Sequence, residues 1–172
     1  FSAATLLLTA LAGLVVSLVI GGWPALAKFG LNFFLSAEWD PVAEVYGAAG
    51  AVAGTVITAV IALALAVPLA FGIAIFLVEL CPPLLRRPIG TAVELLAGIP
   101  SIVYGMWGLF VFAPWFAIHV QLPLMTSAKP GSLLEKLTTG IPNGAGVFTA
   151  SIILAIMILP FIAATMRELL NT

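Results

Sequence analysis

The chain has 172 residues, of which 63% are hydrophobic and 8% charged, with a formal net charge of −1. A soluble domain carries about 25% charged residues, so lipid rather than water must solvate most of this surface. The near-neutral balance offers no field for nucleic acid, and the single Cys81 excludes an internal disulfide. The sequence contains neither a metal-ligand cluster nor a phosphate-cradling Gly-rich loop, so no metal and no cofactor is expected.

The few charges are unevenly placed. No Asp, Glu, Lys or Arg occurs in residues 1–27, 45–78, 95–128 or 137–166. Each window is long enough for the about 20 apolar residues that cross about 30 Å of hydrocarbon. Inside lipid the backbone must satisfy its own hydrogen bonds, as helices or as a closed barrel. Barrel strands alternate polar and apolar residues, and runs such as VITAVIALALAVPLAFGIAIFLV (56–78) do not. The expected fold class is therefore all-α, a polytopic membrane helical bundle.

In chain order, a first span is expected over about 3–22. It has no basic leader, and its apolar core is longer than that of a signal peptide. The chain opens on Phe1 rather than Met, so its natural start is expected to be missing. Trp23-Pro24 is expected to end this span at a membrane interface. A short surface helix over about 25–35 follows, with Leu26, Phe29, Phe33 and Phe34 on one face. The second span is expected over about 48–78. Its Gly50 and Gly54 form a G-x-x-x-G pair that lets another helix approach closely, within the chain or in a partner subunit. CPPLLRRP (81–88) reads as a tight basic connection. The third span is expected over about 92–116, a loop over 117–145, and the fourth span over about 146–166.

An alternating path puts Arg86, Arg87 and Arg167 on one side, and Trp39, Lys28, Lys129 and Lys136 on the other. Three basic residues stand on each side, a tie, but Arg86 and Arg87 share a short loop while the opposite loops are long and one holds Glu38, Asp40 and Glu44. The arginine side is therefore read as cytoplasmic. Glu94 at the amino end of the third span is explained by the helix dipole. Glu79, at the carboxyl end of the second, is expected to pair with Arg86 or Arg87, or to serve at a protein contact. The lone His119 reads as an interfacial residue.

Prolines stand inside three expected spans. Pro68 frees the carbonyl of Ala64, Pro100 that of Leu96 and Pro160 that of Ile156. Such breaks are common in transporters, where they line a cavity or pack against neighbouring helices. In ELLAGIPSIVYGMWGLFVFAP (94–114), Gly98 and Pro100 break the helix ahead of Ser101 and Tyr104. These two hydroxyls lie three residues apart and share a face. They are candidates to line a passage for an anion.

This same stretch resembles a signature of the permease subunits of phosphate ABC importers. GTVITAVIALALAVPLAFGIAIFLVELCPP (54–83) is similar to that family's second helix and TASIILAIMILPFIAATMREL (149–169) to its fourth. The AIMILP phrasing and FFLSAEWDPV (33–42) favour the C-subunit type over the A-subunit type. The resemblance implies a type I ABC importer permease fold, of which the chain would hold the first four of about six spans. It implies a permease that forms half of the translocation pathway for inorganic phosphate in the bacterial inner membrane. The implied partners are a second permease subunit, two ATP-binding subunits and a periplasmic phosphate-binding protein. ATP hydrolysis would then belong to a separate subunit. Glu79, Arg86, Arg87, Arg167 and Glu168 become candidates for cytoplasmic-side contacts, and Gly98, Pro100, Ser101 and Tyr104 for the substrate pathway. The rival readings are a permease of the same fold for another oxyanion, or a non-transporting membrane scaffold. A secondary transporter would need an ion-coupling carboxylate within a span, and the spans hold none.

Overall fold

The computed structural model describes residues 2–129, 131–132, 140 and 142–170. Lys136, expected on the side opposite the arginines, lies outside them. Four stretches are long and apolar enough to cross a membrane: Ala3–Phe34, Ala49–Leu80, Ser101–Ser127 and Val147–Leu170. The chain is thus an all-α, multi-pass membrane protein. It divides into two compact units, residues 1–55 and 56–172.

In the first unit, α1 runs over Ser2–Phe29 and continues as a 3₁₀ turn over Gly30–Phe34. Trp23-Pro24, expected to end the helix, lies inside it. The missing Pro24 amide costs one backbone bond, whereas ending the helix in an apolar setting would orphan several. The α-helix ends only at Gly30, whose φ of +60° favours a residue without a Cβ. The separate surface helix expected over 25–35 is therefore replaced by the last turn of α1 and the 3₁₀ turn. Beyond it, β1 (Trp39–Asp40) pairs antiparallel with β2 (Val45–Tyr46), and the Trp39 and Tyr46 rings meet edge-on at 5.0 Å. Asp40 Oδ1 accepts the amides of Val42 at 2.8 Å and Ala43 at 3.1 Å, which shapes the turn. Lys28 Nζ reaches back to Glu44 Oε2 at 2.8 Å. This hydrogen bond, and after it the lysine charge, hold the Glu44 carboxyl below its ordinary pKa.

The α2 helix spans Ala49–Ile75 and ends in a widened π turn over Phe76–Leu80. It runs unbroken through Pro68. In the second unit, Ala62, Ala66, Ala70 and Ala74 recur every four residues and are fully buried. Ala62 and Ala66 pack with Ala155 of α7 (Val147–Leu170) and with Leu154, Ile158, Leu159 and Ile162. Small side chains let two helices approach closely, which is the main source of packing energy between helices in lipid. Within this chain the close-packing face is this alanine row and not the G-x-x-x-G pair. Gly50 and Gly54 have open space where a Cβ would stand.

The third span is displaced from its expected position. Residues 83–97 form a separate 15-residue helix, α3 (Pro83–Ala97), so the expected tight connection at 81–88 is largely helical. Gly98-Ile99-Pro100 separates it from the span proper, which runs from Ser101 to Ser127 through α4 (Ser101–Trp107), α5 (Ala113–Phe116) and α6 (Leu122–Ser127). Residues 117–127, expected in a loop, are helical. Two π turns, Gly108–Phe112 and Ala117–Gln121, join the three pieces. Each stands just ahead of a proline, Pro114 and Pro123, as the turn at the end of α2 stands ahead of Pro82. A proline ring clashes with the carbonyl four residues back. Adding one residue to the turn moves that carbonyl aside and keeps the helix going. Ile153 of α7 fills the space over Gly108, where a Cβ would collide with it. The Phe116 and Phe148 rings meet at 6.0 Å on the same contact.

Candidate functional site

Two places in the second unit hold the candidate site residues. The first is the junction between α3 and the third span. Pro100 carries no amide, so the Leu96 carbonyl loses its helical partner. Tyr104 Oη, one turn into the span, donates to that carbonyl at 3.0 Å, and the Ile99 amide at 3.3 Å. Gly98 closes α3, and Pro100 caps α4. Ser101 is the first residue of the span and is exposed. The break therefore falls at the end of the span rather than within it. The Tyr104 hydroxyl is engaged at the junction, on the Leu96 carbonyl.

The second place is a cavity of about 290 Å³ lined by Leu77, Arg86, Arg87, Thr91, Glu94 and Arg167. Three elements build it: the end of α2, the amphipathic α3 and the last turns of α7. Arg86 Nη2 donates to Val78 O at 2.6 Å. That carbonyl is the one Pro82 leaves without an amide, four residues on. The arginine thus does at one proline what Tyr104 does at the other. Arg167 Nη2 donates to Glu94 Oε1 and forms an ion pair with it. Its guanidinium lies against Gly90, where any side chain would occupy its place.

These contacts revise two sequence expectations. Glu79 is exposed and forms no ion pair among the described residues, because Arg86 is turned toward the Val78 carbonyl instead. Glu94 does not open a helix. It lies in the last turn of α3, where the dipole disfavours a carboxylate, and Arg167 offsets that. Arg86, Arg87 and Arg167 line one cavity. Glu168 is exposed and points into none of these contacts. Thr91 and Gly90 carried no signal in the sequence. Glu94 and Arg167 did: they are the opposite charges that bound two apolar windows. His119 lies inside the longer third span, stacked on Trp115 at 5.2 Å with Nδ1 2.9 Å from the Trp115 carbonyl.

No family model matches the chain, and no solved structure matches it. Relatives do. The chain is 53% identical over 168 residues to the phosphate transport system permease protein PstC of Haemophilus influenzae, covering 98% of this chain and 53% of that protein. It is 54% identical over 174 residues to the protein of the same name from Mesorhizobium japonicum, covering 99% and 52%. It is 36% identical over 167 residues to the phosphate transport system permease protein PstC 1 of Mycobacterium tuberculosis, covering 88% and 49%. The chain spans about half the length of the relatives it matches. With about half its residues shared along nearly its whole length, and with four helices able to span a membrane, the chain belongs to the family of phosphate transport system permease proteins.

Proposed function

We infer that the whole protein is a permease subunit of an ATP-driven importer for inorganic phosphate and forms half of the translocation pathway. The observation that carries this reading is the identity of 53% to a phosphate transport system permease protein over 98% of the chain. The partners are a second permease subunit, two ATP-binding subunits that hydrolyse ATP, and a periplasmic phosphate-binding protein. The membrane is the bacterial inner membrane. The arginine end of the second unit faces the cytoplasm, and Glu79, Arg86, Arg87, Arg167 and Glu168 belong to the surface that meets the ATP-binding subunits. Gly98, Pro100, Ser101 and Tyr104 stand at the cytoplasmic mouth of the passage between the two permeases. The exposure of Ser101 supports this, since a hydroxyl at the head of a span with no partner among the described residues suits an anion.

The test is uptake of radiolabelled phosphate in a strain deleted for this gene and complemented with the full-length protein. Restored, energy-dependent phosphate uptake is expected. Restored uptake of sulfate or molybdate without phosphate would reassign the substrate. Cysteine labelling from outside the cell checks the orientation: position 129 should label and position 87 should not.

A further inference from the structure

The basic cavity is built for more than joining helices. Its lining carries three guanidinium groups against one carboxylate, together with the Thr91 hydroxyl. Only part of this donor set is used. Arg86 spends one N–H on Val78 O, and Arg167 one on Glu94. Arg87 makes no hydrogen bond or ion pair among the described residues. A guanidinium carries five donors in a planar fork that matches the oxygens of a phosphate group. Arg86 closes the first turn of α3 and Arg87 follows it, so the positive end of the dipole adds to their charge rather than relieving it. A surplus of two positive charges thus faces one half-open space, whose aliphatic wall is the buried Leu77.

We propose that this cavity is a binding site for a phosphate group, held by Arg86, Arg87 and the Thr91 hydroxyl, with Arg167 kept in place by Glu94. At about 290 Å³ the cavity stands at the small end of ligand pockets, which begin at about 300 Å³. It therefore takes one small anion or one headgroup and not a nucleotide. The same chemistry has two sources. Leu84, Leu85, Leu95 and Leu96 are exposed along α3 beside the cavity, which suits the acyl chains of an anionic lipid at the membrane surface. Free inorganic phosphate on the cytoplasmic side would meet the same guanidinium groups. The site is separate from the junction at Gly98–Tyr104, and the proposal does not rest on transport.

The experiment uses the full-length protein in its assembled complex, purified in detergent. One arm measures phosphatidylglycerol retained by the complex in native mass spectrometry. The other titrates radiolabelled inorganic phosphate onto the complex in phosphatidylcholine nanodiscs without binding protein. Both are repeated with Arg87→Gln, which removes no bond among the described residues, and with Arg86→Gln/Arg87→Gln. Losing one charge-assisted hydrogen bond should weaken binding about tenfold or more. Phosphatidylglycerol retention that falls by this amount, without competition from inorganic phosphate, assigns the site to lipid. Inorganic phosphate affinity that falls by this amount assigns it to the free ion. Binding of both probes unchanged in Arg87→Gln overturns the proposal. So does probe binding that is unchanged in Arg86→Gln/Arg87→Gln, whether or not the ATP-binding subunits stay attached.

Discussion

Arg167, near the end of the fourth span, donates to the Glu94 carboxylate 73 residues earlier in the chain, across the bare backbone of Gly90. This contact ties the amphipathic α3 to the end of α7. It also neutralises a carboxylate that the α3 dipole would otherwise disfavour. The Arg167 side chain is 19% exposed and that of Glu94 51%. A double-mutant cycle with Glu94→Gln and Arg167→Gln should give a coupling of about 1 kcal/mol or less, the range of partly exposed pairs. Gly90→Ala should abolish the coupling by displacing the guanidinium. A coupling that survives Gly90→Ala in thermal denaturation of the detergent-solubilised protein would refute this geometry.

Gly108 and Ile153 form the corresponding contact between the third and fourth spans. A methyl at 108 would collide with the Ile153 side chain, whose Cγ1 lies 2.9 Å from a Cβ placed there. Overpacking of this kind costs about 1–3 kcal/mol. Gly108→Ala should lower the thermal midpoint, and Ile153→Ala should restore part of the loss when combined with it. Additive effects of the two substitutions would mean that the helices separate there instead of repacking.

Tyr104→Phe removes the donor from the Leu96 carbonyl at the proline break. A net loss of about 1 kcal/mol is expected for such a bond, with local loosening between α3 and α4. Amide exchange at Ser101–Val103 should accelerate in the variant while exchange in α7 is unchanged. If phosphate uptake per assembled complex falls in Tyr104→Phe and Ser101→Ala together, the junction belongs to the pathway. If only complex abundance falls, its role is structural.

The Lys28–Glu44 pair gives the hairpin a pH dependence. Its Glu44 pKa is lowered from 4.5, first by the Lys28 hydrogen bond and then by its charge. A depressed carboxylate contributes stability above its unfolded pKa, and that contribution disappears as pH falls through the folded value. The window therefore lies below 4.5. Both side chains are more than half exposed, so high salt should weaken the effect. Trp39 fluorescence should report hairpin loosening in this acid range, and Glu44→Gln should remove the transition. An acid transition that persists in Glu44→Gln would assign it to another carboxylate.

The number of spans was legible in the sequence because charge-free windows longer than a bilayer admit one reading. Lipid solvates no orphaned backbone group, and the apolar runs lack the alternation of barrel strands, so helix follows. The ends of α2 and α7 fell within a few residues of expectation for the same reason. Helix boundaries next to prolines did not. Pro24, Pro68 and Pro160 lie inside continuous helices, Pro82 and Pro100 flank α3, and Pro114 and Pro123 each follow a π turn. A proline dictates only which carbonyl is freed. Whether the helix runs on, widens or stops depends on what can reach that carbonyl, and this is a tertiary fact. Arg86 reaches Val78 O and Tyr104 reaches Leu96 O, each from eight residues along the chain. The arginine cavity shows the same division. Local sequence places Arg86, Arg87, Glu94 and Arg167 at the edges of apolar windows, since charge is expelled from hydrocarbon. Only the packing of α3 against α7, made possible by the missing side chain at Gly90, decides that Arg167 joins Glu94 and that the three arginines share one space.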